Sequence, residues 1–228
     1  MKSKCYNLYV SSICHDLILN GLIFYSFVVE YNRGVLNAWA WSEEPQCGDK
    51  AISILDRMER GTAMKPDRLC YTYAIKAVGR SDDPEKANKA FSILERMRRA
   101  YEDGVRHAEP QSDHFVNAIR AIGSLTGTKE HRETAFELTQ RALSDYQSFK
   151  PSKRNKRDMD DEAVYLQFLW AANKLLPASD SRHEAIKKSL RSCPSRILRS
   201  RSMKEALYKI LPRDVCDDML REAGTSTA

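Results

Sequence analysis

Glycine and proline are scarce in this chain, 9 and 8 of 228 residues, and both gather at breaks between apolar stretches. Such a composition reads as all-α. The six cysteines, at positions 5, 14, 47, 70, 193 and 216, form no CxxC pair and keep no regular spacing. That excludes a patterned zinc site and a disulfide framework, and it places the chain in a reducing compartment. There is no Gly-rich phosphate loop, no HExxH and no nucleophile elbow, and the five histidines are scattered. Nothing here assembles an active site, so the chain reads as a non-enzyme without a cofactor. The acidic run Asp158, Asp160, Asp161 and Glu162 has no companion motif, and it reads as a charge cluster at a helix N-terminus. Long hydrophobic runs are also missing. The stretch Leu17 to Val29 is 13 residues long, short of the roughly 20 that span a bilayer.

What is present is enough for a core: 42% of residues are hydrophobic and 30% charged. The formal net charge of +6 is unevenly placed. From Lys150 to Lys204 there are 14 basic and 6 acidic residues, so the rest of the chain is slightly acidic. A clustered positive field favours a polyanion, nucleic acid or an anionic membrane surface, over a solvated charged loop only when other features agree.

The chain is organised around the stretch Asp67 to Gln111. Tyr71, Ala74, Ile75 and Val78 form one apolar stripe, the chain breaks at Gly79 to Asp83, and Ala87, Ala90, Phe91, Leu94 and Met97 form a second. Steps of three and four residues put each stripe on one helical face, so the stretch predicts a helical hairpin. Pro84 stands in the first turn of the second helix behind Asp82 and Asp83 as caps, and Pro110 marks its stop.

The hairpin recurs. Ser53-Ile54-Leu55-Asp56-Arg57-Met58 returns as Ser92-Ile93-Leu94-Glu95-Arg96-Met97, and Ile75-Lys76-Ala77-Val78-Gly79 as Ile119-Arg120-Ala121-Ile122-Gly123. Ala90-Phe91 returns as Ala135-Phe136, and the hairpins close on Lys65-Pro66-Asp67, Glu109-Pro110-Gln111 and Lys150-Pro151-Ser152. Self-similarity at such a period predicts hairpins that bury their apolar faces by stacking. The expected fold is a right-handed α-solenoid of helix-turn-helix repeats, about four hairpins with a C-terminal helical cap.

Four segments follow. Residues 1–30 are an N-terminal segment of uncertain status: a degraded upstream helix, a membrane-directing stretch, or sequence outside the mature protein. Residues 31–194 hold the repeats, with first helices at Val35 to Ser42, Asp67 to Gly79, Ser112 to Gly123 and Glu162 to Leu176. Asp49 to Arg60 and His183 to Arg191 supply the second helices of the outer hairpins, and Lys150 to Arg157 is a basic loop. Residues 195–222 form the cap, broken at Pro212, with Val215, Met219 and Leu220 as cover, and 223–228 a frayed tail.

These residues resemble the pentatricopeptide repeat family, whose unit is a hairpin with an aromatic near the start of its first helix, a second helix of the form Ala…Phe…Leu…Met, and a closing Lys-Pro-Asp. Tyr71, Ala87, Phe91, Leu94, Met97 and Lys65-Pro66-Asp67 stand in those places, and Asn37-Ala38-Trp39-Ala40 with Ser42 looks like variants with longer inter-hairpin loops. The resemblance covers about Tyr31 to Pro194. The tetratricopeptide signature does not fit. The resemblance implies a protein that binds single-stranded RNA in mitochondrial or plastid RNA metabolism, alone or with other proteins of an RNA-processing complex. The shortness of the Leu17 to Val29 run, separately, predicts no stable membrane insertion.

In that family the residue after the first-helix aromatic and the last residue of the repeat read the base. Carried over, these are Thr72 with Gln111, and Asp67 at the close of the first repeat. Tyr31-Asn32 resembles the family's Tyr-Asn opening, which makes Asn32 a reader if Gly34 is an extra residue, whereas an ungapped match puts Arg33 there. Val116 and Leu166 occupy the reading place in the third and fourth repeats and cannot hydrogen-bond a base. Phosphate contacts fall to Lys76, Arg120, Lys150, Lys153, Arg154, Lys156, Arg157, Arg196, Arg199 and Arg201. Trp39, Trp41 and Trp170 fit either a base stack or core packing. The alternative is a protein-interaction scaffold, for which an apolar Val116 and Leu166 are better suited than for a base.

Overall fold

The structure, a computed structural model, describes residues 21–61, 65–149 and 159–225, and these are all-helical. In chain order the helices are α1 (Gly21–Ala40), α2 (Cys47–Arg60), α3 (Arg68–Arg80), α4 (Lys86–Glu102), α5 (Ser112–Gly123), α6 (Lys129–Ser148), α7 (Met159–Leu175), α8 (Asp180–Ser189), α9 (Ser195–Leu198), α10 (Arg201–Ile210) and α11 (Arg213–Thr225). A single 3-10 turn, Arg106–Ala108, follows α4.

Side-chain caps fix several starts. Asp67 accepts the Cys70 N–H at the head of α3, and Thr128 accepts the His131 N–H at the head of α6. Ser179 and Ser200 do the same for Arg182 and Met203 at the heads of α8 and α10. Each such cap contributes about 1 kcal/mol to its helix. Asp83 caps differently from the sequence expectation: its carboxylate accepts the Glu85 N–H 2.7 Å away, which forms a turn containing Pro84 before α4 begins at Lys86.

Two further boundaries depart from the sequence reading. The first described helix is longer than the sequence reading has it: from Gly21, the first described residue, it runs unbroken through Gly34 to Ala40. The break expected at Gly79 begins only at Ser81: Gly79 lies inside α3, and Gly123 is the last residue of α5. Both glycines are there for packing. A Cβ on Gly79 would stand 3.0 Å from the Ala121 Cβ, and one on Gly123 would stand 2.7 Å from the Ala171 Cβ. The recurring Gly therefore records a close crossing of one first helix on the next.

Those crossings define two layers. The A layer runs α1 on α3, α3 on α5, α5 on α7, with α10 against the far side of α7; α2, α4, α6 and α8 form the B layer, each packed on its hairpin partner. Tyr71, Phe115 and Tyr165, the aromatics near the starts of α3, α5 and α7, are all buried. Phe115 meets Tyr146 edge-on at 5.2 Å, and Tyr146 meets Tyr165 at 6.0 Å, so aromatic contacts run from one hairpin into the next. Leu55 and Leu94, and Met58 and Met97, which the repeated sextet equates, are buried in the same core. At the C-terminus Met219 is buried, and Val215 and Leu220 pack against the core.

One buried cation ties the last elements together. Arg182, 6% exposed, donates to Asn173 Oδ1, to the Leu176 carbonyl and to the Ile210 carbonyl. It answers the negative ends of α7 and α10 and has no carboxylate beside it among the described residues. Burial lowers its guanidinium pKa from the usual value. No helix among the described residues is long and apolar enough to cross a membrane.

Candidate nucleic-acid interface

The outward face of the A layer is built at the C-terminal ends of its helices, where the glycine crossings bring α3, α5 and α7 closest. Trp41 follows α1 and is 67% exposed, its indole N–H donating to Asn37 Oδ1 at 3.1 Å. The Arg80 guanidinium lies over that ring, 5.3 Å from its centroid, and also donates to the Ala40 carbonyl, which joins α3 to α1. Lys76 sits one turn before Arg80 on the same face. Ser124, just past α5, donates to the Ala121 carbonyl and reaches the Gly79 carbonyl at 3.4 Å, joining α5 to α3. Arg120 extends across to Gln167 of α7.

Between α5 and α7 this face opens into a cavity of about 490 Å³ walled by Arg120, Ser124, Gln167, Trp170, Asn173 and Lys174. Trp170 is 60% exposed. Lys86, at the start of α4, points toward the same end: burial and the Lys174 ammonium nearby push its pKa down, with Asp82 and Asp83 opposing. The face thus gathers cations from α3, α4, α5 and α7 around two exposed indoles. Lys76, Arg80, Arg120 and Lys174 form no ion pair with any described residue. Of the nearby carboxylates, Glu43 and Glu44 follow Trp41 by two and three residues and are exposed, and Asp82 lies in the loop behind Lys86.

The B layer treats its charges the opposite way. Arg96 binds Glu59 through Nε and Nη2 and Asp56 through Nη2, while the Tyr71 hydroxyl donates to the same Glu59. Arg98 pairs with Asp145 at 2.7 Å, Arg141 with Glu95 at 3.3 Å, and Lys89 with both Asp49 and Asp83. Successive B helices are laced together by these pairs.

The base-reading candidates lie elsewhere and are engaged locally. Thr72 is buried, and its hydroxyl donates to the Arg68 carbonyl one turn back. Asn32 is 4% exposed and accepts from Arg57 at 2.9 Å. Asp67 caps α3 and stands 3.5 Å from the Arg33 guanidinium. Gln111 caps α5 in a reciprocal box with His114. All four belong to the N-terminal ends of A helices or to α1, away from Trp41, Arg120 and Lys174. Val116 and Leu166 are half-buried against the core.

Of the phosphate-contact candidates, Lys76 and Arg120 fall on the A-layer face. Arg196, Arg199 and Arg201 lie on and beside α9 and α10. Arg201 pairs with Glu205, and the Ser200 to Glu162 hydrogen bond fixes this group at the start of α7. Glu162 and Lys174 are separated by about 18 Å of helix, so this group is a separate basic patch. Lys150, Lys153, Arg154, Lys156 and Arg157 lie outside the described residues. Arg80, Lys86 and Lys174 escape sequence reasoning because nothing in their spacing tells which cations will meet a carboxylate. Trp39 packs against the core, whereas Trp41 and Trp170 do not. Among the described residues no group of three or more His, Cys, Asp or Glu side chains is placed to hold a metal ion. Compared with family models, curated proteins and solved structures, the chain finds no significant match.

Proposed function

We propose that this chain is a single-stranded RNA-binding protein of helical repeats, a pentatricopeptide-like α-solenoid that holds its strand on the outward face of the A layer. The observation that carries the reading is the exposed pair Trp41 and Trp170 set among Lys76, Arg80, Arg120 and Lys174, cations with no carboxylate partner among the described residues. A single strand offers the two things this face lacks, stackable base faces and closely spaced phosphates. Stacking on an indole contributes about 1–3 kcal/mol per base and is sequence-tolerant. The cations hold phosphate oxygens and release counterions, which makes the affinity fall with salt.

This mode differs from a one-base-per-repeat code, because Thr72, Asn32, Asp67 and Gln111 would have to leave their hydrogen bonds in the helices to reach a base. Affinity then comes from stacking and charge, and the basic patch at Arg196, Arg199 and Arg201 extends the field beyond the face. Action in mitochondrial or plastid RNA metabolism follows only from the family resemblance.

The test is binding of fluorescent single-stranded and double-stranded RNA to the full chain across a salt series. Selective binding of the single strand, weakened at least tenfold in the Trp41→Ala, Trp170→Ala double variant, is the expected result. Equal binding of duplex, or no weakening in the double variant, would refute the stacking face. No binding at low salt would favour a protein ligand on the same face.

A further inference from the structure

We infer that the α5–α7 cavity is a site for a strand end: it takes a terminal phosphomonoester of the RNA, the dianionic group that an internal linkage does not carry. The inference rests on the proposed RNA binding and names what enters the recess beside Trp170. Its first support is shape. Gly123 and Ala171 close the floor, where α5 and α7 meet so tightly that a Cβ on Gly123 would stand 2.7 Å from the Ala171 Cβ. A floored recess of about 490 Å³ has the size of a small-ligand site. A terminal nucleotide enters it with one connection to the backbone, whereas an internal one must lead the backbone in and out.

The second support is a surplus of positive charge. Arg120 and Lys174 stand in the wall with no carboxylate bonded to either among the described residues. Behind the wall lies Arg182, 6% exposed, its Nη1 3.3 Å from the Asn173 Oδ1 that belongs to the wall. The Arg182 Nε finds no hydrogen-bond partner among the described residues. Lys86 comes close enough to Lys174 for the two ammoniums to repel, and Asp82 offsets it. Setting Lys86 against Asp82 leaves Arg120, Lys174 and Arg182 without a carboxylate. A buried cation with no counter-ion is costly, and an anion brought near it relieves that cost.

The third support is the indole of Trp170, 60% exposed in the same wall. A terminal base stacks on it while the attached phosphate turns to the cations. An internal phosphodiester bears a single negative charge, and a monoester about −1.5 to −2 at pH 7. Three cations without a carboxylate answer the monoester better.

The experiment measures binding of the full chain to one single-stranded RNA whose 5′ or 3′ end carries a hydroxyl, a phosphate or a methyl phosphate. The methyl ester keeps the phosphate and holds it to a single charge. Expected is binding of the phosphate form roughly fivefold or more tighter than either other form, at one or the other end. In Lys174→Gln that ratio is expected to collapse, whereas Lys76→Gln, on the same face but outside the cavity wall, weakens all forms alike. Equal binding of the three forms at both ends would overturn the end site and leave RNA binding standing. A methyl phosphate that binds as tightly as the phosphate would overturn the preference for the dianion. A phosphate preference that survives Lys174→Gln would overturn the role of this cavity. Failure of every form to bind would overturn the RNA reading and this inference with it.

Discussion

The two layers of this protein are made from the same residue types and use them in opposite ways. In the B layer, Lys89, Arg96, Arg98 and Arg141 each find a carboxylate on another helix or loop, and the pairs lace successive hairpins together. In the A layer, Lys76, Arg80, Arg120 and Lys174 find none among the described residues and stand beside exposed tryptophan. A basic residue that is paired is part of the frame, and one left unpaired beside an aromatic face is available to a ligand. Net charge alone does not separate these uses, because both layers contribute to it.

Arg182 is a third use of a cation, buried and answered only by carbonyl and amide oxygens, and its removal gives the largest expected effect. Arg182→Ala leaves the Leu176 and Ile210 carbonyls without their donor, and the expected cost is about 3 kcal/mol, read from chemical denaturation of the full chain. Next is Gly123→Val. Side-chain atoms there meet the Ala171 Cβ and Cα, so α5 and α7 must part, at about 2 kcal/mol. The same substitution is expected to weaken RNA binding, because Gly123 itself lines the cavity beside Arg120 and Trp170 and the new side chain alters its wall.

Arg96→Ala removes the B-layer cation shared by Asp56 and Glu59. With two carboxylates and the Tyr71 hydroxyl left facing one another, the expected cost is about 1–2 kcal/mol, with RNA binding retained. A smaller effect belongs to Asp83. Burial works against its ionisation, but hydrogen bonds from the Lys89 ammonium and the Glu85 N–H prevail and lower its pKa below the ordinary 3.8. A lowered folded-state pKa contributes stability above the unfolded value and loses it as pH falls through the folded one. The difference between the unaltered chain and Asp83→Asn is therefore expected to be largest at neutral pH, below about 1 kcal/mol, and to shrink under about pH 4. A difference that grows in acid would contradict the pairing.

Much of this frame was legible in the chain. The three-and-four spacing of Tyr71 to Val78 and of Ala87 to Met97 specified α3 and α4, and the repeated sextet correctly equated Leu55 with Leu94 and Met58 with Met97. Pattern fails where the third dimension decides. The Gly of Ala-Val-Gly read as a break, since a glycine that ends a helix and a glycine that admits a neighbouring helix look alike in one dimension. Thr72 followed its aromatic as the family pattern asks, yet the depth of α3 in the core turns its hydroxyl back to Arg68. Trp39 and Trp41 differ by two residues, one packed and the other open. The site depends on which cations lack a carboxylate across a helix interface, and that pairing spans some 40 residues of sequence, as in Arg96 with Asp56.

The most direct test sets the two layers against each other with matched charge changes. In one full-length variant Arg80→Gln and Arg120→Gln alter the A-layer face; in the other Arg99→Gln and Arg141→Gln remove two exposed cations from the B layer. Single-stranded RNA affinity is then measured across salt for both and for the unaltered chain. The expected result is a slope of log affinity against log salt that falls by about 1.4 in the A-layer variant, roughly 0.7 for each phosphate no longer neutralised, and stays unchanged in the B-layer variant. Equal slopes in all three proteins, or a change confined to the B-layer variant, would contradict the A-layer face as the place where the strand is held.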